Sequence, residues 1–144
     1  MKNPNPAPPP PIRDDENTRE ACWDLPADPE AVGKARRLAR EALAIWGASA
    51  VAEDVTTIVS ELVTNAIVHG RAPVTLSLHR HGRIVCGEVT DHGGVWPTSL
   101  PAAGPDEEHG RGLTIVAAYA ERWGVEPAPG GKIVWFICVE RGPR

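Results

Sequence analysis

The sequence lacks the features that mark a membrane-spanning or a secreted protein. No apolar run approaches the roughly 18 residues that a bilayer-spanning helix needs, and Met1-Lys2-Asn3 leads into prolines rather than into the apolar stretch of a secretory signal. The three cysteines are an odd number, and none of them forms a C-x-x-C pair. We therefore expect a cytoplasmic protein without membrane contact, whose reduced thiols pack as small apolar side chains.

Positive charge is also scarce. Fifteen Lys and Arg residues stand against nineteen Asp and Glu residues, which gives a formal net charge of −4. No basic cluster forms a stripe, so the charge pattern gives no support for direct nucleic-acid binding. The hydrophobic fraction of 42% is that of a globular protein, and 144 residues fit one domain with an ordinary core.

The N-terminal segment differs in composition from the rest of the chain. Six of the fifteen prolines lie within residues 1–20, followed by a polar, acidic stretch. Such a segment buries too little apolar surface to offset its ordering entropy. The sequence therefore predicts a disordered, Pro-rich tail over residues 1–20 and one ordered domain over residues 21–144.

Hydrophobic periodicity within that domain predicts the element order β-α-α-β-β-loop-α-β-β. Strands are predicted near residues 22–25, 74–79, 84–90, 123–126 and 132–139, and helices near 29–46, 50–68 and 113–122. This order predicts an α/β (α+β) two-layer sandwich, with a mixed, mainly antiparallel sheet of about five strands and three helices on one face. The loop over residues 91–112 is longer than a compact domain usually holds without a function.

Three polar motifs punctuate these elements. The second helix carries Glu61, Asn65 and His69 at spacings of four residues, a row at the border of its apolar face. Asp91 ends an apolar strand shortly before Gly93, where an acid can accept a hydrogen bond from a ligand amine while backbone approaches closely. Each of these motifs taken alone is common in proteins of many functions.

The third motif precedes the third predicted helix and reads His-Gly-Arg-Gly-Leu over residues 109–113. Glycines at a helix N-terminus leave backbone amides unshielded, and those amides and the helix dipole favour phosphate. A lone G-x-G is weak evidence, but the combination of the three motifs in this order is much more specific.

Together these motifs resemble the nucleotide-binding boxes of the GHKL ATPases, which share the Bergerat fold. Residues 61–70 resemble the N-box, residues 91–97 the first glycine box, residues 109–113 the second, and residues 131–136 the terminal strand. The resemblance covers about residues 21–140 and is greatest to the small stand-alone anti-sigma-factor serine/threonine kinases. It implies a histidine-kinase-like ATP-binding domain with ATP and Mg²⁺ as cofactors and a role in transcription regulation.

The resemblance also implies a role for each matched residue. Asn65 is implied to be the Mg²⁺ ligand, and Asp91 is implied to accept a hydrogen bond from the exocyclic amine of adenine beside Gly93. Glu61 is implied to be the general base that takes the proton from the incoming hydroxyl. The residues implied to cover the phosphates are Gly110, Arg111, Gly112 and Leu113.

Two functions stay open at this point. In the first, which we favour, the chain is a protein serine/threonine kinase that phosphorylates an anti-sigma-factor antagonist and sequesters a sigma factor. In the second it is a non-catalytic, ATP-dependent protein-binding module. Glu61 favours the kinase, because nucleotide binding alone requires no base. The resemblance also allows a homodimer, with no dimer face assigned.

Overall fold

The computed structural model describes residues 18–69, 73–92 and 108–141, with the backbone alone for residue 69 and residues 108–113. The elements follow the predicted order, with one short 3₁₀ turn added between the first two helices. They are β1 (Thr18–Leu25), α1 (Glu30–Ile45), the 3₁₀ turn (Ser49–Val51), α2 (Ala52–His69), β2 (Val74–His81), β3 (Ile84–Asp91), α3 (Glu108–Tyr119), β4 (Arg122–Ala128) and β5 (Gly131–Val139).

Two predicted boundaries are wrong. β1 begins at Thr18, so residues 18–20 belong to the sheet and not to a disordered tail, because pairing with β2 fixes them although they have no strand pattern of their own. α3 begins at Glu108 and not at Leu113, so the glycine motif lies inside the helix. The predicted tail otherwise falls on residues 1–17, which lie outside the described residues.

The five strands form one sheet in the order β1-β2-β3-β5-β4. Each of the four described pairings is antiparallel, in line with the mainly antiparallel sheet that the sequence predicts, and none of them is parallel. A two-residue turn joins β2 to β3, and Gly82 takes a positive φ of 62° there that favours glycine. β5 returns from β4 into the centre of the sheet and thereby lies beside β3.

The core fills the space between the helices and one face of the sheet. Alternate strand residues point to this face, and they pack with α1, α2 and α3 in a single cluster that includes Leu43, Val59, Leu76, Val116 and Phe136. The three helices therefore cover one face, which confirms the predicted two-layer sandwich. A second, smaller cluster lies on the other face of the sheet and contains Cys86, Trp135 and Ile137.

The cysteines match the expectation of free thiols. Cys86 and Cys138 are buried, whereas Cys22 is exposed. Burial raises the pKa of the Cys86 thiol to about 11, with a further contribution from the charge of Glu88. Burial likewise raises the pKa of Cys138 to about 12, with smaller contributions from nearby charges, chiefly Asp54. Both buried groups therefore remain uncharged thiols at neutral pH.

Chain connectivity gives each helix a direction across the sheet. We call the end of the sheet formed by the paired residues Leu25, Val74, Asp91 and Lys132 the Asp91 end, and the end formed by Thr18, His81, Ile84 and Val139 the opposite end. α1 starts five residues after Leu25, and the Trp46 carbonyl at its C-terminus accepts a hydrogen bond of 2.7 Å from Arg80 near the opposite end. α1 therefore runs from the Asp91 end to the opposite end.

The two other helices run the other way. Four residues separate the end of α2 from Val74, which pairs with Asp91, so α2 finishes at the Asp91 end. α3 finishes at the opposite end, where the Glu121 amide donates to the Ile137 carbonyl at 2.7 Å. The N-terminus of α3 therefore faces the Asp91 end of the sheet.

None of the helices in the described ranges combines the length and the apolar character that a bilayer-spanning segment needs.

Candidate functional site

Among the residues that the structure describes, Asp91 is the most deeply buried charged residue at the Asp91 end. It is the last residue of β3, and only 3% of its surface is exposed. It belongs to the row that contains Val85 and Val89, so its side chain points to the face that the helices cover. Burying a carboxylate is costly unless it is paired and hydrogen-bonded, so the partners of both of its oxygens matter.

The two carboxylate oxygens of Asp91 have different surroundings. The Lys132 ammonium donates to Oδ2 at 2.6 Å, and the side chain of Lys132 is itself only 21% exposed. Oδ1 is buried and has no hydrogen-bond partner among the described residues. Unpartnered buried acceptors are rare in folded proteins. Within the described part of the chain, one oxygen is therefore held by Lys132 and the other has no donor.

The backbone of β5 lies very close to Asp91. A Cβ atom placed on Gly131 would lie 1.8 Å from the Asp91 carbonyl oxygen and 3.0 Å from Oδ1, and the first of these distances is sterically impossible. Glycine at position 131 thus allows the two strands to meet beside the free oxygen. In the sequence analysis Gly131 belongs only to the terminal strand. No sequence motif predicts its contact with Asp91.

Glu61 and Asn65 lie on the C-terminal half of α2. Both side chains are half-buried, and their neighbours Leu62 and Ala66 are in the core. The structure therefore places both polar side chains at the border of the apolar face, as the spacing predicts. Since α2 finishes at the Asp91 end, this row and Asp91 lie at the same end of the domain.

The glycine motif of residues 109–113 is in the first half of α3. Only the amides of a helix's first turn lack an intrahelical acceptor, and Gly110 lies in that turn. Gly112 and Leu113 lie one turn further in, so their amides fit the regular helical pattern. The N-terminus of α3 extends toward the Asp91 end, and its dipole suits an anion there. Gly93 lies outside the described residues, as does the segment that follows it up to residue 107.

Lys132 is the residue that sequence reasoning missed. The sequence motifs place it only within the terminal strand, and its partner Asp91 is 41 positions away. The pair is set by the β3–β5 register, in which Asp91 lies directly opposite Lys132. A buried acid and a lysine at the ends of two apolar strands were the available signal, but the pairing of those strands could not be read from the sequence.

The arrangement can be compared with known proteins. A family model described as a histidine kinase-like ATPase domain matches residues 25–138, which is most of the chain. The chain belongs to this family. The match runs from the last residue of β1 to the last but one of β5, and it includes the three motifs and Lys132. Membership in this family of ATPase domains implies binding of ATP.

Solved structures share the fold. The structure of the RsbU and RsbW domains of Rv1364c from Mycobacterium tuberculosis superposes on the chain with a TM-score of 0.68 and 23% sequence identity. The similarity covers 88% of this chain and 33% of that one, so this chain matches about a third of the length of the chain in that structure. At this identity the likeness establishes the fold. A comparison with curated protein sequences finds no match.

Proposed function

We propose that the chain is a protein serine/threonine kinase that binds ATP and Mg²⁺, phosphorylates an anti-sigma-factor antagonist and sequesters a sigma factor in the cytoplasm. The observation that carries the nucleotide site is the unpartnered Oδ1 of the buried Asp91. An acceptor in this position requires a donor, and the exocyclic amine of adenine supplies one. The family match over residues 25–138 supports the same ligand.

The phosphates of the nucleotide are proposed to lie toward the N-terminus of α3. Free first-turn amides and the positive end of the helix dipole favour anions. In this arrangement Gly110 and Arg111 contact the phosphates, and Gly112 and Leu113 hold the helix start in place. Gly93 is proposed to allow close approach of backbone to the base.

Mg²⁺ fits the oxygen donors of α2. The cation prefers oxygen ligands and commonly takes only one or two of them from protein, with the remainder from phosphates and water. Asn65 provides a half-buried amide oxygen one helical turn from the Glu61 carboxylate. We therefore assign Asn65 as the protein's ligand. When bound there, the cation would neutralise phosphate charge.

Glu61 is proposed to be the general base. Its carboxylate takes the proton from a serine or threonine hydroxyl of the antagonist, the hydroxyl oxygen forms a bond to the γ-phosphorus, and the bond to the ADP oxygen breaks. Phosphoryl transfer depends largely on positioning and on neutralisation of charge. Half-burial at the border of the core gives the Glu61 side chain a restricted set of positions.

A calorimetric titration with ATP, with and without Mg²⁺, tests the nucleotide site. We expect Mg²⁺-dependent binding by the native chain and no comparable binding of GTP, which has a carbonyl where adenine has its amine. Asp91→Asn should weaken ATP binding by about tenfold or more, because an amide can present a donor where the carboxylate only accepts. Circular dichroism checks that the variant is folded. Absence of binding by the native chain at millimolar ATP would reject the proposal.

Asn65→Ala should abolish the increase in ATP affinity that Mg²⁺ gives. The substitution removes the amide oxygen from a half-buried position and introduces alanine, a good helix former, so α2 should stay intact. The same titrations with and without Mg²⁺ measure the effect. Thr64→Ala is the matched control, since Thr64 is an exposed neighbour on the same helix whose hydroxyl donates to the Ser60 carbonyl. An undiminished Mg²⁺ effect in Asn65→Ala would remove Asn65 from the metal site.

A further inference from the structure

The ion pair between Lys132 and Asp91 occupies one oxygen of the proposed base-binding carboxylate. Lys132 Nζ lies 2.6 Å from Oδ2, and Oδ1 is buried without a partner among the residues that the structure describes. We propose that Lys132 is a positioning residue that holds the Asp91 carboxylate with Oδ1 as the acceptor for a ligand, so that the site selects bases with an exocyclic amine over bases with a carbonyl at the same place. This inference rests on the proposed binding of ATP at Asp91.

The ion pair fixes the position of the carboxylate. The two residues lie directly opposite each other on adjacent strands, and the Asp91 side chain is 4% exposed. An unpaired carboxylate in such surroundings is strongly disfavoured. With the ammonium on Oδ2, the carboxylate plane is held so that Oδ1 is the oxygen left for a ligand.

The atom that Asp91 presents determines which bases can bind. A carboxylate oxygen only accepts hydrogen bonds. Adenine presents an N–H donor, and hypoxanthine presents a carbonyl acceptor at the same ring position. Oδ1 of Asp91 therefore pairs with adenine and faces hypoxanthine oxygen to oxygen. Loss of Lys132 removes this discrimination, because the carboxylate is no longer held with Oδ1 toward the base.

The experiment compares ATP and inosine triphosphate, both with Mg²⁺, by titration of the full chain. We expect the native chain to prefer ATP by about tenfold or more. Lys132→Met retains the aliphatic stem and removes the charge, so it should weaken ATP binding and bring the ratio of the two affinities close to one. Lys132→Arg retains a cation near Oδ2 and should restore most of the preference. Lys34→Met, at an exposed position on α1, is the matched control and should behave as the native chain.

Each outcome decides between the alternatives. If the native chain binds neither nucleotide, the proposed function and this inference both fail. If the native chain binds ATP and Asp91→Asn weakens it, while Lys132→Met keeps the full preference for ATP, only the role of Lys132 is wrong. Tighter ATP binding by Lys132→Met would also overturn the inference, since the ammonium would then compete with adenine for Asp91. If Lys132→Met does not fold, Lys132→Gln, which keeps a donor without the charge, gives the same test.

Discussion

Glu61→Gln is expected to lower phosphoryl transfer by about 10²–10⁴-fold, the usual contribution of a positioned general base. ATP affinity should stay within about threefold of the native value, because Asp91 and Asn65 hold the nucleotide in the proposed site and the neutral amide keeps the size of the side chain. The amide cannot take a proton from the incoming hydroxyl. A loss of rate without a loss of affinity is therefore the result that distinguishes a base from a ligand-binding residue.

The assay measures ADP formation from ATP in the presence of Mg²⁺, with and without candidate antagonist proteins. A separate titration measures the affinity for ATP. Glu41→Gln is the matched control, since Glu41 is an exposed residue of α1 outside the proposed site. Unchanged turnover in Glu61→Gln would rule out the base role. If the native chain binds ATP and transfers phosphate to no acceptor, the result favours the ATP-dependent binding module over the kinase.

The helices and the central strands could be predicted from the sequence because their signals are local. The apolar spacing along α2 predicts a helix near 50–68, and the structure has Ala52–His69 after a 3₁₀ turn. The alternation in β2 and β3 predicts both strands to within two residues of their ends. In these segments the local preference and the packed fold agree, so the pattern was sufficient.

The errors arose where tertiary structure overrides local preference. Gly110 and Gly112 have low helix propensity, which suggested that α3 starts only at Leu113, yet the helix begins at Glu108. Thr18, Arg19 and Glu20 carry no strand pattern and still pair with β2. A single sequence gives no information about such pairings, because the partner strand supplies the hydrogen bonds that fix the segment.

The candidate site was predicted only as far as single motifs allow. The motifs singled out Asp91 and the Glu61–Asn65 row, and the structure places them at one end of the domain. The ion pair with Lys132 depends on the insertion of β5 between β3 and β4, which is a property of the whole topology. The sequence therefore cannot distinguish the two carboxylate oxygens of Asp91, and only the folded structure shows that Lys132 binds one of them.

Gly131→Ala is expected to destabilise the domain by at least about 2 kcal/mol, the cost of forcing an extra carbon into a packed region. The new Cβ atom would lie 1.8 Å from the Asp91 carbonyl oxygen and 2.7 Å from the carbonyl carbon. Both are backbone atoms of the neighbouring strand, and they cannot rotate away as a flexible side chain could. Relief requires separation of β3 and β5 at the Asp91 end, so the contact between Lys132 and Asp91 should be disturbed as well.

Thermal unfolding followed by circular dichroism measures this effect, and Gly33→Ala is the matched control. Gly33 lies within α1, and a Cβ atom there would meet no atom within 4 Å, so the same chemical change should stabilise the protein by about 0.5–1 kcal/mol. The two substitutions are therefore expected to shift the midpoint of unfolding in opposite directions. A Gly131→Ala variant as stable as the native chain would show that β3 and β5 are further apart than described, and the positioning of Asp91 by Lys132 would lose its structural basis.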